Sequence, residues 1–309
     1  MGGLDDTTDA GGAAEGQLTV QLDGGLAGGA WKGVRATGAV KAAWTGETFY
    51  ADAPRGLAIQ WDEGRYGEMV LGASALNYTP SGRLAELTGG AVVGKGALAK
   101  ITLPVRGNGY EAKAALGQTA IDWRAQGGLR AGFDAAPSTM DLTLDKRAVP
   151  IRVEDIAGVL DVRSGWRVTG ALKGGEAKAD EATVADIAAK FDLGGAGSAL
   201  DGKLTNVAMR IYDPLPEDRR RFEEAKFEGA ASLRDGNASF SGLFTSARKR
   251  VQLASVTGTH NLKTGNGALT FEPRAVHRAG VLDRRRLARD PHAWGELSTK
   301  PSAVVGRAA

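Results

Sequence analysis

The chain has 309 residues, with 45 glycines, 10 prolines and no cysteine, and its formal net charge is +3. The absence of cysteine excludes disulfide bonds, thiolate metal sites and cysteine nucleophiles. From Arg274 onward, eight Lys and Arg residues stand against three Asp and Glu. The basic balance therefore describes this final stretch and does not indicate a nucleic-acid surface.

The first residues give no sign of a targeting segment. Residues 1–16 are mostly Gly, Ala, Asp and Thr, which predicts a disordered lead-in. They lack the basic and apolar regions of a signal peptide, and the chain has no run of about 20 apolar residues that would span a membrane. We expect either a cytosolic protein or an internal piece of a longer one.

Apolar and polar residues alternate through most of residues 17–273, and glycine interrupts them about every ten residues, a spacing typical of short strands and tight turns. Successive side chains of a strand point to opposite sides of the sheet. The pattern predicts an all-β fold: one elongated, curled antiparallel sheet, or β-groove, with few short helical turns. The predicted strands are Gln17–Asp23, Gly33–Ala42, Leu57–Trp61, Glu68–Leu76, Leu84–Thr88, Ala97–Val105, Tyr110–Leu116, Thr119–Arg124, Thr139–Leu144, Val149–Val153, Gly158–Val162, Trp166–Leu172, Glu176–Val184, Ala188–Leu193, Leu204–Tyr212, Ala225–Leu233, Asn237–Thr245, Val251–Thr259 and Ala268–Glu272.

Turns and short helical segments are predicted between these strands. Gly, Asn and Asp tolerate the positive φ of hairpin turns, and they mark turns at Asp23–Gly25, Lys173–Gly175 and several other places. Weak helical signals occur at 155–157, 182–189 and 216–224. After Arg274 both patterns stop, so residues 274–309 are predicted to be an atypical, disordered basic tail.

The apolar face of the strands is the main functional feature of the sequence. Its side chains either meet one another in a closed sandwich or line a groove that admits a fatty guest. The predicted lining consists of small and aliphatic residues, which leave room for acyl chains: Leu18, Val20, Leu22, Ile101, Leu103, Val105, Met140, Leu142, Leu144, Val207, Met209 and Ile211.

The residues give little support for catalysis. His260 is a single histidine at a strand end, and no metal, cofactor or nucleophile motif is present. The glycines of Gly89–Gly96 are best explained by hairpin turns rather than by a phosphate loop. Arg219, Arg220 and Arg221 are either a solvated loop or contacts to an anionic head group, since guanidinium groups pair bidentately with phosphate.

Three segments carry a resemblance to a known family. Arg210–Phe222, Phe227–Gly236 and Val256–Gly267 contain an Asp after a strand, a loop with Arg and Phe, and the turn pattern Val-x-Gly-x-His-x-x-x-x-Gly-x-Gly. In these features the chain resembles the C-terminal region of YdbH-type proteins of the AsmA-like superfamily, whose shared domain also carries the label "dicarboxylate transport". Residues 204–272 match this family pattern well, whereas residues 17–203 resemble the family only in their general character.

The resemblance implies a non-enzymatic function in lipid transport. It implies a β-groove that carries phospholipid across the periplasm of a Gram-negative envelope, toward the outer membrane, with envelope proteins as partners. It also implies an inner-membrane anchor and further repeats, so the chain is expected to be a fragment of such a protein. The alternative function is a structural or adhesive β-solenoid at the cell surface without lipid cargo.

Overall fold

The structure is a computed structural model that describes residues 11–274, except for 27, 46–47, 68, 108–109, 145–146, 180–181, 197–198, 262 and 265. These residues form 23 β-strands in one sheet and a single 3-10 turn, Glu217–Arg219. The all-β prediction, with a curled antiparallel sheet, is confirmed. The strands are β1 (Gly12–Leu26), β2 (Gly29–Thr45), β3 (Thr48–Asp52), β4 (Leu57–Trp61), β5 (Glu63–Tyr66), β6 (Met69–Leu71), β7 (Ser74–Pro80), β8 (Ala85–Thr88), β9 (Ala91–Leu98), β10 (Ile101–Gly107), β11 (Tyr110–Leu116), β12 (Gln118–Ala125), β13 (Leu129–Ala136), β14 (Ser138–Leu144), β15 (Arg147–Val153), β16 (Asp155–Val162), β17 (Trp166–Ala179), β18 (Ala182–Ala196), β19 (Ala199–Tyr212), β20 (Ala225–Arg234), β21 (Asn237–Ser246), β22 (Gln252–Asn261) and β23 (Gly267–Pro273).

The sheet is a meander in which every described pairing is antiparallel. We call each full crossing of the sheet a rung. β1, β2 and β17 to β23 are single-strand rungs, whereas the rungs between β2 and β17 consist of collinear short strands, such as β3, β4 and β5 alongside β2. Each rung pairs with the rungs before and after it in the sequence, so contacts between rungs are local in the chain.

The sheet is open at both edges within the described residues. β1 pairs only with β2, and β23 pairs only with β22. No second sheet covers the first. The sandwich of two opposed layers, which the sequence left open, is therefore not the arrangement of the described strands.

A crease crosses the sheet from β9 to β19. The collinear strands break at Gly117, Pro137 and Glu154, and the pairing register shifts at matching heights in β17, β18 and β19. Breaks and bulges bend a strand and increase its twist. Because they line up from rung to rung, the sheet bends along one line.

Part of the core lies along this crease and consists mostly of small residues. The buried inner-face residues beside the breaks are Ile101, Thr119, Ala135, Ser138, Val153, Ala177 and Ala189. Small side chains let the two halves of each rung bend toward each other without a steric clash. The result is a trough whose bottom is buried and whose walls are the two halves of the rungs.

Several local predictions were wrong. Residues 12–16 belong to β1, where they pair with 40–44 of β2, rather than to a disordered lead-in. The turns predicted at Asp23–Gly25 and Lys173–Gly175 are irregularities inside β1 and β17, because a bulge needs the same backbone freedom as a turn.

Two of the three predicted helical segments are strands, and the third contains a short 3-10 turn. Residues 155–157 lie in β16 and residues 182–189 lie in β18, because pairing on both sides outweighs the local preference of alanine for helix. Only the 3-10 turn forms within 216–224. Strands β3, β5 and β13 were not predicted. Residues 1–10 and 275–309 lie outside the described residues.

Candidate functional site

The pairing register places the predicted lining residues on a single face of the sheet. Directly paired residues share a face, and the pairs can be followed from β1 to β23. Leu18, Val20 and Leu22 of β1 therefore share a face with the positions predicted in β10, β14 and β19, including Leu144, whose side chain is not described. We call this the inner face. That these residues contact a lipid stays a prediction.

Among the described side chains of the strands, charge is confined to one face; Arg147, which pairs with Leu144 at an inner-face position, has a side chain that is not described. None of the described side chains on the inner face is Asp, Glu, Lys or Arg, whereas the outer face carries the ion pairs of the strands. In the pair between β17 and β18, Arg167 Nε and Nη2 donate to the Asp192 carboxylate at 2.8 and 2.6 Å. This hydrogen bonding lowers the pKa of Asp192 and raises that of Arg167.

The inner face becomes more exposed away from the crease. Ile101 at the crease is 5% exposed, whereas Val20 and Leu18 are 50% and 37% exposed on β1. At the other end of the sheet, Phe240 and Leu269 are 40% and 47% exposed. The trough therefore has an apolar surface in contact with solvent at both ends, although its bottom is packed.

Glycine lies directly opposite an aromatic residue at many inner-face positions. A β-carbon at Gly94 would lie 2.6 Å from the Trp123 ring, and one at Gly258 would lie 2.2 Å from the Phe240 ring. These rings thus occupy the space over the glycine of the neighbouring strand, as in aromatic rescue of strand glycines. The paired positions are Gly12 and Trp44, Gly64 and Trp31, Gly94 and Trp123, Gly158 and Phe133, Gly170 and Phe191, Gly195 and Trp166, and Gly258 and Phe240.

An aromatic contact crosses the trough. The ring centroids of Tyr66 in β5 and Trp166 in β17 lie 5.7 Å apart, although many rungs separate these strands. Tyr66 also accepts a hydrogen bond from Trp31 Nε1 at 3.3 Å, and its burial raises the pKa of its hydroxyl. The contact shows that the sheet curls toward its inner face, and it fills the trough at this level.

The basic run lies in the loop between β19 and β20, where Arg221 is hydrogen-bonded to a buried carboxylate. Arg221 donates to the buried Asp213 carboxylate through Nε at 2.9 Å and through Nη2 at 3.2 Å. The backbone N–H of Arg221 also donates to Asp213, at 2.7 Å. Arg219 is exposed, whereas Arg220 is half-buried and donates through Nε to the Leu215 backbone oxygen at 3.3 Å, so Arg219 is more accessible to a head group than Arg220 is. Head-group contact by all three stays a prediction.

The Asp213 carboxylate predicts an acid-sensitive loop. Its hydrogen bonds from Arg221 hold its pKa well below the ordinary range. The stability it contributes is therefore fully present above its unfolded pKa of about 4 and is lost as pH falls toward the lower folded value. We expect Asp213→Asn to lower the thermal midpoint at pH 7 and to flatten its dependence on pH between about 4 and 2.

The matched control is Asp218→Asn, because Asp218 is an exposed residue of the same loop with a 4.0 Å ion pair. We expect it to leave the midpoint and its pH dependence unchanged. Equal behaviour of the two variants, measured by circular dichroism from pH 7 to pH 2, would show that the Asp213 pairing contributes nothing to stability.

No catalytic constellation is formed by the described residues. His260 pairs with Gly267 at the end of β22, and no group of three or more His, Asp or Glu could hold a metal ion among the residues described. A concavity of about 480 Å³ lies on the outer face, where its lining is dominated by Ser, Thr and Ala, including Ser241, Thr257 and Thr270. None of its lining belongs to the predicted site.

These features define the chain as a single-sheet β-protein with an open apolar trough. Comparison with protein-family models, with curated proteins and with solved structures found no match. No helix among the described residues is long and apolar enough to cross a membrane. The likeness to YdbH-type proteins thus rests on the quoted motifs alone.

Sequence reasoning missed the glycines under the aromatic rings. It assigned Gly94 and Gly96 to hairpin turns, whereas only Gly89 and Gly90 form the turn and β9 contains the other two. A signal was present, because both glycines occupy the inner-face positions of an alternating strand. The opposite aromatic residues could not be assigned without the strand register.

Proposed function

We propose that this chain binds the acyl chains of phospholipids along its inner face and transfers or holds them without chemical change. The observation that supports the proposal is a continuous face without described charged side chains, with large apolar residues exposed at both ends. Monomeric proteins rarely leave contiguous apolar surfaces of this kind without a partner. The motif resemblance to YdbH-type proteins points to the same class of cargo.

The energetics of transfer fit a surface of this kind. Each methylene moved out of water is worth about 0.8 kcal/mol, so an acyl chain of about 14 buried methylenes gains roughly 11 kcal/mol. The gain needs only hydrocarbon contact and no directional bonds. An aliphatic face with flat aromatic rings supplies that contact and tolerates chains of different length.

The proposal includes a location and a head-group site. In the full-length protein, the chain would act in the periplasm of a Gram-negative envelope and be anchored in the inner membrane. Arg219 and Arg220 would meet the phosphate at the rim of one wall of the trough, in the loop between β19 and β20. Envelope proteins would supply and receive the lipid.

The alternative is a structural or adhesive surface protein. A β-solenoid stacks its coils as parallel strands, whereas every described pairing here is antiparallel, so that architecture does not fit. An adhesive role on this fold differs from the proposal in a measurable way, since it requires no lipid in the trough.

Lipid extraction tests the proposal. The 309-residue chain is purified without detergent, extracted with chloroform and methanol, and analysed by mass spectrometry. We expect phospholipid in an amount comparable to the protein, and saturable binding of a fluorescent phospholipid by the stripped protein. A folded sample with neither bound phospholipid nor saturable binding would contradict the proposal and favour the adhesive alternative.

A further inference from the structure

Strand β1 is a long edge of the sheet, and no other described strand covers its outer side. It spans 15 residues and pairs with β2 along one side, so the backbone N–H and C=O groups of its other side have no strand partner among the described residues. Natural sheets protect such edges with Lys, Pro or short strands. β1 contains neither Lys nor Pro, and its charged residues, Glu15 and Asp23, lie near its two ends.

The centre of this edge is apolar as well as unpaired. Val20 is 50% exposed and Leu18 is 37% exposed, and both lie on the inner face. The opposite edge of the sheet offers fewer backbone groups for pairing with another strand, because β23 spans 7 residues and ends at Pro273. The combination of free backbone groups and exposed apolar side chains makes β1 an edge that fits another strand of matching pattern.

We propose that β1 pairs antiparallel with β1 of a second copy of this chain, about a two-fold axis at Val20. In this register Val20 lies opposite Val20 of the second copy, and Leu18 lies opposite Leu22. On the outer face, Thr19 lies opposite Gln21, so apolar pairs with apolar and polar pairs with polar.

Charge favours this register over the one centred on Thr19. An axis at Thr19 would place Glu15 opposite Asp23 in both halves of the pair, and like charges directly opposite each other are destabilising. With the axis at Val20, Glu15 lies opposite Gly25 and Asp23 lies opposite Gln17. No like charges then face each other.

The symmetry has a consequence for the trough. A two-fold axis perpendicular to the sheet keeps the inner faces of both copies on the same side, so the two apolar faces become continuous across the joint. The contact is isologous and closes at the dimer, whereas pairing of β1 with β23 of another copy would produce an open filament. The inference stands on the edge itself and does not depend on lipid binding.

Cysteine cross-linking tests the register, because the chain has no cysteine of its own. Under mild oxidation we expect Val20→Cys to give a disulfide-linked dimer. We expect a mixture of Thr19→Cys and Gln21→Cys to give the mixed dimer, with little product from either variant alone, since diagonal neighbours lie about 7–8 Å apart. Thr169→Cys, on the outer face of β17, controls for random collision.

Light scattering of the full chain tests the dimer independently. We expect the unmodified protein to have twice the mass of one chain and Val20→Lys to have the mass of one chain, with an unchanged circular dichroism spectrum. Thr169→Lys should remain dimeric. A monomeric unmodified protein, a filament, or Val20→Cys cross-linking no better than Thr169→Cys would each overturn the proposal, and the cross-linking decides it if Val20→Lys fails to fold.

Discussion

Replacing Phe240 by Asp is expected to lower phospholipid binding at least about tenfold, since a factor of ten corresponds to about 1.4 kcal/mol and an unpaired carboxylate against hydrocarbon costs more than that. Phe240 lies on the inner face of β21 and is 40% exposed. The substitution removes an apolar contact for the cargo and uncovers Gly258 beneath the ring, so circular dichroism checks that the variant stays folded. The measurement is the dissociation constant of a fluorescent phospholipid.

The matched control lies one residue away. Ser241→Asp places the same charge on the outer face of the same strand, where Ser241 is exposed, and we expect its binding to equal that of the unmodified protein. Equal loss in both variants would indicate a general effect of charge on this end of the sheet. Normal binding by Phe240→Asp, and also by Leu103→Asp and Leu142→Asp, would show that the inner face does not hold the lipid.

Replacing Gly94 by Ala is expected to lower the free energy of unfolding by about 1–3 kcal/mol, the usual cost of overpacking. A β-carbon at Gly94 would lie 2.6 Å from the Trp123 ring and 2.4 Å from the backbone oxygen of Leu84. The ring would have to leave its place on the strand, and its hydrogen bond from Nε1 to the Tyr78 hydroxyl, at 3.1 Å, would be lost. Urea unfolding measures the change.

Gly16 offers the control for this substitution. It lies on the inner face of β1, and a β-carbon there would have no neighbour within 4 Å. We expect Gly16→Ala to be neutral or to stabilise by up to about 1 kcal/mol, because alanine reduces the conformational freedom of the unfolded chain. A loss in Gly94→Ala no larger than in Gly16→Ala would mean that the rings do not depend on the glycines beneath them.

Much of the fold could be predicted from the sequence because the alternation of apolar and polar residues dominates it. Strict alternation in Leu18–Val20–Leu22 and in Val207–Met209–Ile211 identifies strands with one apolar face. The register of the structure places all of these residues on the same face. The absence of a second layer could not be predicted, since alternation is equally compatible with a sandwich.

The remaining features depend on contacts between distant residues. The ring contact between Tyr66 and Trp166 joins residues 100 positions apart in the sequence, and no local pattern encodes it. The role of Asp213 was also hidden, because its partner Arg221 appeared as part of a solvated basic run. The role of each glycine could not be assigned from the sequence, since a bulge, a turn and a position beneath an aromatic ring all favour glycine.

The sequential order of the rungs determines how such a protein can be built and varied. Since the strands of each rung pair only with those of the neighbouring rungs in the sequence, the chain can add structure progressively from one end, without threading a strand between two already placed. Insertion or loss of a hairpin alters the reach of the molecule and leaves the remaining pairings intact, as in repeat proteins whose units contact only their neighbours. Span is therefore a quantity that evolution or design can adjust in steps of one hairpin.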